Sequence, residues 1–204
     1  MTTIAVVSAG LSEPSSTRLL ADRLAGAAAD AVGTATGPVD VRHVELRPLA
    51  HEVVDAMLTG FQAPALAAAT ETVVGADALV FVTPVFTAGM SGLAKSFLDV
   101  TDKDALVDLP VLLGATGGTA RHSLAIEHAV RPVFAYLRAA VVPTAVFAAT
   151  DDWGSESADV LDARIRRAGA DLAWGIRASR RTPVSATALP EVTDFASLLG
   201  GLGH

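Results

Sequence analysis

The chain alternates between short apolar runs and longer segments in which apolar residues recur at helical spacing. The five apolar runs are Thr3–Ser8, Val39–Leu46, Ala78–Pro84, Pro110–Gly114 and Val141–Ala148. Most of them are apolar almost throughout, which is typical of strands covered on both faces. Val39–Leu46 instead alternates between apolar and polar positions, which predicts a strand at the edge of the sheet.

Helices are predicted between these strands. The stripe after the first strand consists of Leu20, Leu24, Ala27, Ala28 and Ala31, and it follows the candidate N-caps Ser15, Ser16 and Thr17. A similar stripe near the end consists of Leu161, Ile165, Ala168, Leu172 and Ile176. Strands that alternate with helices of this length form right-handed crossovers. The pattern predicts an α/β fold, a doubly wound five-stranded parallel sheet in the flavodoxin-like order 2-1-3-4-5, with helices on both faces.

The 204 residues are about one domain's worth of chain. We expect residues 1–180 to form that domain and residues 181–204 to form a C-terminal tail. The tail begins with a polar stretch broken by Pro183 and then carries the apolar residues Phe195, Leu198, Leu199 and Leu202. It is predicted to dock on its own domain or on a neighbouring subunit.

Composition narrows the function. A chain that is 51% apolar and 18% charged is not a disordered one. The formal charge of −7 argues against nucleic acid as a partner, and the absence of cysteine excludes thiol chemistry. Mean hydropathy is +0.45, yet no apolar run approaches the ~18 residues of a membrane span. The start of the chain lacks signal-peptide features, so we expect a cytoplasmic protein without a membrane partner.

In a doubly wound sheet, ligands bind beyond the carboxyl ends of the strands where the winding reverses. The loop after the first strand, Ser8–Arg18, contains one glycine and many hydroxyl residues and leads into a helix. Helix-start amides and hydroxyls favour an anion, which suggests a phosphate site built from Ser12, Ser15 and Thr17. A helix whose hydroxyls only cap its own amides is an equally good interpretation.

The loops after strands 3 and 4 are also unusual. In Thr83–Lys95, Pro84 is expected to end the strand, and the proline, Phe86 and small residues beyond it suit a flat heteroaromatic ring. In Gly114–His122, paired glycines allow close approach of a ligand to the backbone. Ordinary turns remain the alternative for each loop, although three such loops at one edge favour a ligand site.

These stretches resemble the NAD(P)H-dependent FMN reductases of flavodoxin-like fold, in particular those that feed reduced flavin to two-component monooxygenases such as the alkanesulfonate systems. The resemblance implies an FMN phosphate site at Gly10, Ser12, Ser15 and Thr17. It implies contacts with the isoalloxazine ring from Pro84, Val85, Phe86, Thr87 and Ala88, and contacts with its pyrimidine edge from Thr116, Gly117 and Gly118. Many relatives have a basic residue where Ser12 or Glu13 stands and a tyrosine where Phe86 stands.

The predicted helix Ser123–Leu137 has Pro132 in its middle, which cannot donate to the carbonyl of His128. A freed carbonyl invites a kink or a π-type bulge. In the alkanesulfonate-type reductases a bulge in this helix lies at a subunit interface near the flavin, and His128 matches its position. A histidine in the core or on the surface beside a proline kink is the alternative.

The predicted activity is hydride transfer from NAD(P)H to FMN, with reduced flavin passing to a partner monooxygenase. No side chain is strictly required as a catalytic acid or base, and no metal is expected. The resemblance also implies a homodimer or homotetramer. The alternatives are an FMN-containing quinone or azo reductase and a non-enzymatic, flavodoxin-like electron carrier.

Overall fold

The computed structural model describes residues 1–154 and 157–182. The strands are β1 (Thr2–Ser8), β2 (Val39–Glu45), β3 (Ala78–Phe86), β4 (Gly89–Met90), β5 (Pro110–Gly117), β6 (Ala140–Val141) and β7 (Val146–Ala149). The α-helices are α1 (Ser16–Thr36), α2 (Ala50–Thr59), α3 (Pro64–Val74), α4 (Gly92–Val100), α5 (Arg131–Tyr136) and α6 (Ser157–Ala178). A π-helical turn, Ile126–Val130, directly precedes α5. The predicted tail lies outside the described residues from 183 onward.

The sheet has the predicted doubly wound topology. Its main path is β2-β1-β3-β5-β6 with parallel pairing, and β2 lies at the edge as its alternating pattern predicts. The count is seven rather than five for two reasons. A two-residue strand, β4, folds back on β3, and the predicted strand Val141–Ala148 is divided into β6 and β7, which both pair with β5.

Helices cover both faces of the sheet. On one face α1 and α6 pack together over the side chains of Ile4, Val6, Val80 and Leu112. Gly169 of α6 permits this approach, because a Cβ atom there would lie 2.6 Å from the backbone of Ala27. The other face packs against α2, α3, α4 and α5. No described helix has the length and apolarity needed to cross a membrane.

One arginine hydrogen-bonds to backbone carbonyls at the amino end of the sheet. The guanidinium of Arg181 donates to the carbonyls of Val74 (2.6 Å), Ala76 (2.7 Å) and Ala105 (2.9 Å). Burial lowers the pKa of Arg181, and the charge of Asp77 acts in the opposite direction. The chain after α6 is therefore fixed at residue 181 to the segments that enter β3 and β5.

Candidate functional site

The three loops singled out in the sequence leave the same edge of the sheet. Strand β3 lies between β1 and β5, with Ser8 paired to Val82 and Pro84 paired to Thr116. Neighbouring strands are separated by about 4.8 Å, so the outer two loops start roughly 10 Å apart. That span is comparable to the length of a fused three-ring system.

The first loop ends in a well-formed helix start. Ser15 is the N-cap of α1, and its hydroxyl accepts the N–H of Arg18 at 3.2 Å. The first intrahelical donor of α1 is Leu19, which leaves the amides of Ser16 and Thr17 without an acceptor inside the helix. Ser15 thus performs the capping role considered in the sequence, while two amides still face outward from the positive end of the helix dipole.

Gly10 is required by the close packing of this loop. A Cβ atom at Gly10 would lie 2.0 Å from Oγ of Ser15 and 3.1 Å from Cβ of Thr17. Ser12, at the tip of the loop, is exposed. The predicted phosphate residues therefore fall into two groups: Gly10, Ser15 and Thr17 pack together, and Ser12 lies apart in solvent.

A buried hydrogen bond joins the first loop to the third. The hydroxyls of Thr17 and Thr116 are 2.8 Å apart, and the two residues are only 3% and 4% exposed. They are separated by 99 positions in the chain. Two side chains predicted for different parts of one site are thus in direct contact.

Strand β3 is longer than predicted. Pro84 does not end it, because the strand pairs with β5 through Pro84 and continues to Phe86. A two-residue turn, Thr87–Ala88, then leads into β4, with φ of 49° and 63°. Positive φ at both central residues is the geometry of a type I′ turn, which normally selects Asn and Gly. Thr87 and Ala88 therefore hold this turn at a conformational cost.

The hairpin formed by β3 and β4 is held by buried hydrogen bonds on its core side and is exposed to solvent on the other. The buried hydroxyl of Thr83 accepts the N–H of Ser91 at 3.0 Å, and Ser91 in turn caps α4 by accepting the N–H of Ala94 at 3.2 Å. Phe86 is 48% exposed, and Val85 packs partly against the core. The anchored hairpin thus presents an apolar ring to solvent beside the carboxyl ends of the strands.

The glycine loop begins later than predicted. Strand β5 runs to Gly117, so Ala115, Thr116 and Gly117 belong to the strand, and only Gly118 onward forms the loop. A Cβ atom at Gly117 would lie 2.9 Å from the ring of Phe147, whereas one at Gly118 would meet no atom within 4 Å. Gly117 is explained by packing alone, and Gly118 borders open space.

A cleft of about 530 Å³ lies between the start of α1 and the end of the sheet. It is lined by Pro14, Ser15, Ser16, Leu19, Gly117, Ala148, Thr150 and Trp153. Thr150 and Trp153 line this cleft, and the sequence pattern does not single them out. They lie in a short 3-10 turn, which Asp152 caps by accepting the N–H of Ala149 at 2.8 Å.

Two arginines stand beside the first loop. Arg18 pairs with Asp22 at 2.7 Å and with Glu45, and Arg47 pairs with Glu13 at 2.6 Å. Arg47 follows the edge strand β2, and no sequence pattern associates it with this loop. Arg47 thus brings a cation to the loop tip from another element.

The predicted π-type bulge is confirmed, although the helix around it is shorter than 123–137. At the turn Ile126–Val130, the N–H of Arg131 donates to the carbonyl of Ile126, five residues earlier, which is the hydrogen-bond spacing of a π-helix. Arg131 also pairs with Glu127 at 2.6 Å, which lowers the pKa of that carboxyl, and donates to the carbonyl of Val142 at 3.2 Å. His128 is exposed, which excludes the core alternative.

The sheet is doubly wound, and its carboxyl edge carries a helix start that favours an anion and an apolar hairpin. These features are typical of α/β proteins that bind a nucleotide or a flavin. Residues 2–154 match the family model described as NADPH-dependent FMN reductase. The chain belongs to this family. The prediction of an FMN reductase that uses a nicotinamide donor is therefore confirmed.

Individual relatives agree with the family. An FMN reductase (NADPH) of Pseudomonas aeruginosa is 37% identical over 81% of this chain and 87% of its own. The NADH-dependent FMN reductase SfnE of Pseudomonas putida is 34% identical over the same shares. The crystal structure of an oxidoreductase from Corynebacterium diphtheriae is 44% identical, with a TM-score of 0.84 over 87% of this chain and 97% of that one.

The edge has features that fit FMN. The free amides of Ser16 and Thr17 suit a phosphate, the open space at Gly118 admits a ring edge, and exposed Phe86 supplies an apolar surface. Bound FMN supplies a two-electron acceptor for hydride from a nicotinamide. The task of the chain is to place and orient it.

Proposed function

We propose that this protein is an NAD(P)H:FMN oxidoreductase that holds FMN along the carboxyl edge of β1, β3 and β5. The phosphate binds at the start of α1, against Gly10, Ser15 and Thr17, and Ser12 at the exposed loop tip is the outermost of its contacts. The observation that carries the proposal is the contact between Thr17 and Thr116, since it brings the phosphate loop and the ring loop into one site.

The ring is assigned to the space between the hairpin and the glycine loop. Pro84, Val85, Phe86, Thr87 and Ala88 form one side of it. Thr116 and Gly117 end the neighbouring strand β5, which pairs with β3 at Pro84 and Thr116, and Gly118 follows as the first residue of the loop. The backbone N–H groups of Gly117 and Gly118 are the candidates for stabilising the negative charge that develops on the reduced flavin.

Hydride transfer requires that the two reacting rings approach to about 3–3.5 Å in the correct orientation. The partly exposed Phe86 and the anchored hairpin leave one side of this space accessible to a nicotinamide. No proton transfer by a side chain is needed for this step. The site therefore works by positioning.

The direct test is a titration of the purified protein with FMN, followed by absorbance and flavin fluorescence. NADH and NADPH oxidation is then measured with free FMN as acceptor and with a quinone as the comparison. We expect saturable FMN binding and faster nicotinamide oxidation with FMN than with the quinone. No FMN binding, or turnover only with the quinone, contradicts the proposal, and a stable one-electron semiquinone on reduction indicates an electron carrier.

We further propose that reduced flavin passes to a flavin-dependent monooxygenase and that the protein forms a homodimer or homotetramer through the surface around the π-helical turn. Exposed Leu124 (62%) and Tyr136 (78%) flank this turn. A groove of about 450 Å³ beside it is bordered by α4 and α5. Light scattering measures the assembly, and Tyr136→Glu is expected to dissociate it, with Val54→Glu on α2 as the exposed control.

A further inference from the structure

The side chain of Thr116 makes a contact that its predicted role does not require. The family resemblance assigns it to the pyrimidine edge of the flavin. In the structure its hydroxyl lies 2.8 Å from that of Thr17, and both residues are buried. No other hydrogen bond of the Thr116 hydroxyl occurs among residues 1–154 and 157–182, so its orientation is set by Thr17.

We propose that Thr116 is a positioning residue for the flavin phosphate, acting through Thr17, rather than a contact for the ring edge. The proposal rests on the proposed FMN site. The hydroxyl of Thr116 donates its proton to Oγ1 of Thr17, and Thr17 then directs its own proton toward the phosphate. Thr116 thereby fixes which way the Thr17 hydroxyl points.

The direction follows from the inventory of donors and acceptors. A hydroxyl has one proton to donate and two lone pairs that accept, and either member of this pair can be the donor. A phosphate dianion only accepts, so the proton that faces it must come from Thr17. If Thr17 donated to Thr116 instead, its oxygen lone pairs would face the phosphate and repel it.

The order of the two hydroxyls also strengthens the bond to the ligand. Each bond in a chain of hydrogen bonds polarises the next, and the effect is largest where water is excluded. Thr17 follows the N-cap of α1 by two positions, where the helix dipole already favours an anion. Thr116 precedes Gly117 and Gly118, so the same contact holds the end of β5 against the start of α1.

The test compares FMN with riboflavin, which has the same ring and no phosphate. Dissociation constants of both ligands are measured for the wild type, Thr116→Val, Thr116→Ser and Thr17→Val. Thr116→Val keeps the shape and removes the hydroxyl, and Thr116→Ser keeps the hydroxyl. Urea denaturation of each variant shows whether it is folded at the assay concentration.

We expect Thr116→Val to weaken FMN binding about tenfold and to leave riboflavin binding within about twofold. Thr116→Ser should recover most of the FMN affinity. Adding Thr116→Val to Thr17→Val should weaken FMN binding further by less than twofold, because Thr116 acts only through Thr17.

Equal weakening of both ligands by Thr116→Val overturns the proposal and assigns Thr116 to the ring. An unchanged FMN affinity in this variant also overturns it, while the FMN site itself stands. Only a wild-type protein that binds neither ligand removes the FMN site and the role of Thr116 together.

Discussion

The two ends of the sheet treat their polar groups in opposite ways. At the amino end, the carbonyls of Val74, Ala76 and Ala105 all accept from Arg181, so they are internally satisfied. At the carboxyl end, the amides of Ser16 and Thr17 have no acceptor within α1. The amino end thus stabilises the fold through satisfied acceptors, and the carboxyl end keeps the open donors that the proposed FMN site requires.

Backbone strain, by comparison, occurs at both ends: Asp108 and Arg138, which precede β5 and β6 at the amino end, have φ of 57° and 56°. The carboxyl edge contains the turn Thr87–Ala88 with positive φ at two residues that are not glycine. Strain of this kind persists where the surrounding structure imposes it, and its presence at both ends means that it does not by itself distinguish the binding end. The difference between the two edges therefore lies in hydrogen bonding: the amino edge is internally satisfied, and the carboxyl edge keeps the amides that the proposed FMN site uses.

The largest expected effect comes from a substitution that disrupts FMN binding at the carboxyl end and leaves the amino end intact. Gly118→Leu places a side chain in the open space beside β5, and we expect it to weaken FMN binding more than a hundredfold, roughly 3 kcal/mol. The free energy of unfolding should change little, because no atom lies within 4 Å of the new Cβ position. Fluorescence titration with FMN and urea denaturation measure the two quantities.

Gly26→Leu is the matched control, since Gly26 is exposed on α1 and its Cβ position is also open. It should leave FMN affinity unchanged. An FMN affinity of Gly118→Leu equal to that of the control would remove the glycine loop from the site.

The second effect comes from a substitution that removes hydrogen bonds at the amino end and leaves the carboxyl end intact. Arg181→Met removes three donated hydrogen bonds and leaves the carbonyls of Val74, Ala76 and Ala105 without this donor. We expect the free energy of unfolding to fall by about 2 kcal/mol, with FMN affinity unchanged. Arg180→Met, at the exposed neighbouring residue, is the control in urea denaturation and should cost little. A loss of FMN affinity in folded Arg181→Met would show that the two ends are coupled.

The third effect relieves the strain at the binding end. Ala88→Gly places glycine where φ is 63°, and we expect the free energy of unfolding to rise by about 1 kcal/mol. Thermal and urea denaturation measure the change. Ala68→Gly, on the exposed side of α3, should instead lower stability by about 1 kcal/mol. Destabilisation by both substitutions would mean that the turn is not strained.

The smallest effect concerns pH. Burial lowers the pKa of His43 below its usual 6.5, with a further lowering from Arg18 and opposing contributions from Asp22 and Glu45. The unfolded chain therefore takes up this proton before the folded chain as pH falls. The stability that His43 contributes is complete above pH 6.5 and is lost as pH drops through the lowered value.

His43→Gln should accordingly lose less stability than the wild type between pH 7 and pH 5. Urea denaturation at several pH values in this interval measures the difference. Parallel curves for the two proteins would show that the protonation of His43 is not linked to folding.

Local patterns determined much of this protein. Apolar runs and helical stripes specified the alternation of strands and helices, and the alternating run 39–46 specified the edge strand, because burial on one or two faces is written directly into side-chain polarity. Pro132 likewise predicted a kink or a π-type bulge, since a missing N–H is a local property. Ser15, Ser16 and Thr17 were candidate N-caps for the same reason, and the structure assigns the cap to Ser15.

Only the tertiary structure decided the features that depend on distant partners. Pro84 was expected to end β3, but pairing with β5 carries the strand to Phe86, and parallel pairing is not visible in either segment alone. The contact of Thr17 with Thr116, the three carbonyls of Arg181 and the place of Arg47 beside the first loop join residues that are far apart in the chain. Sequence periodicity reports what a residue does to its own helix or strand, and packing determines which elements then meet.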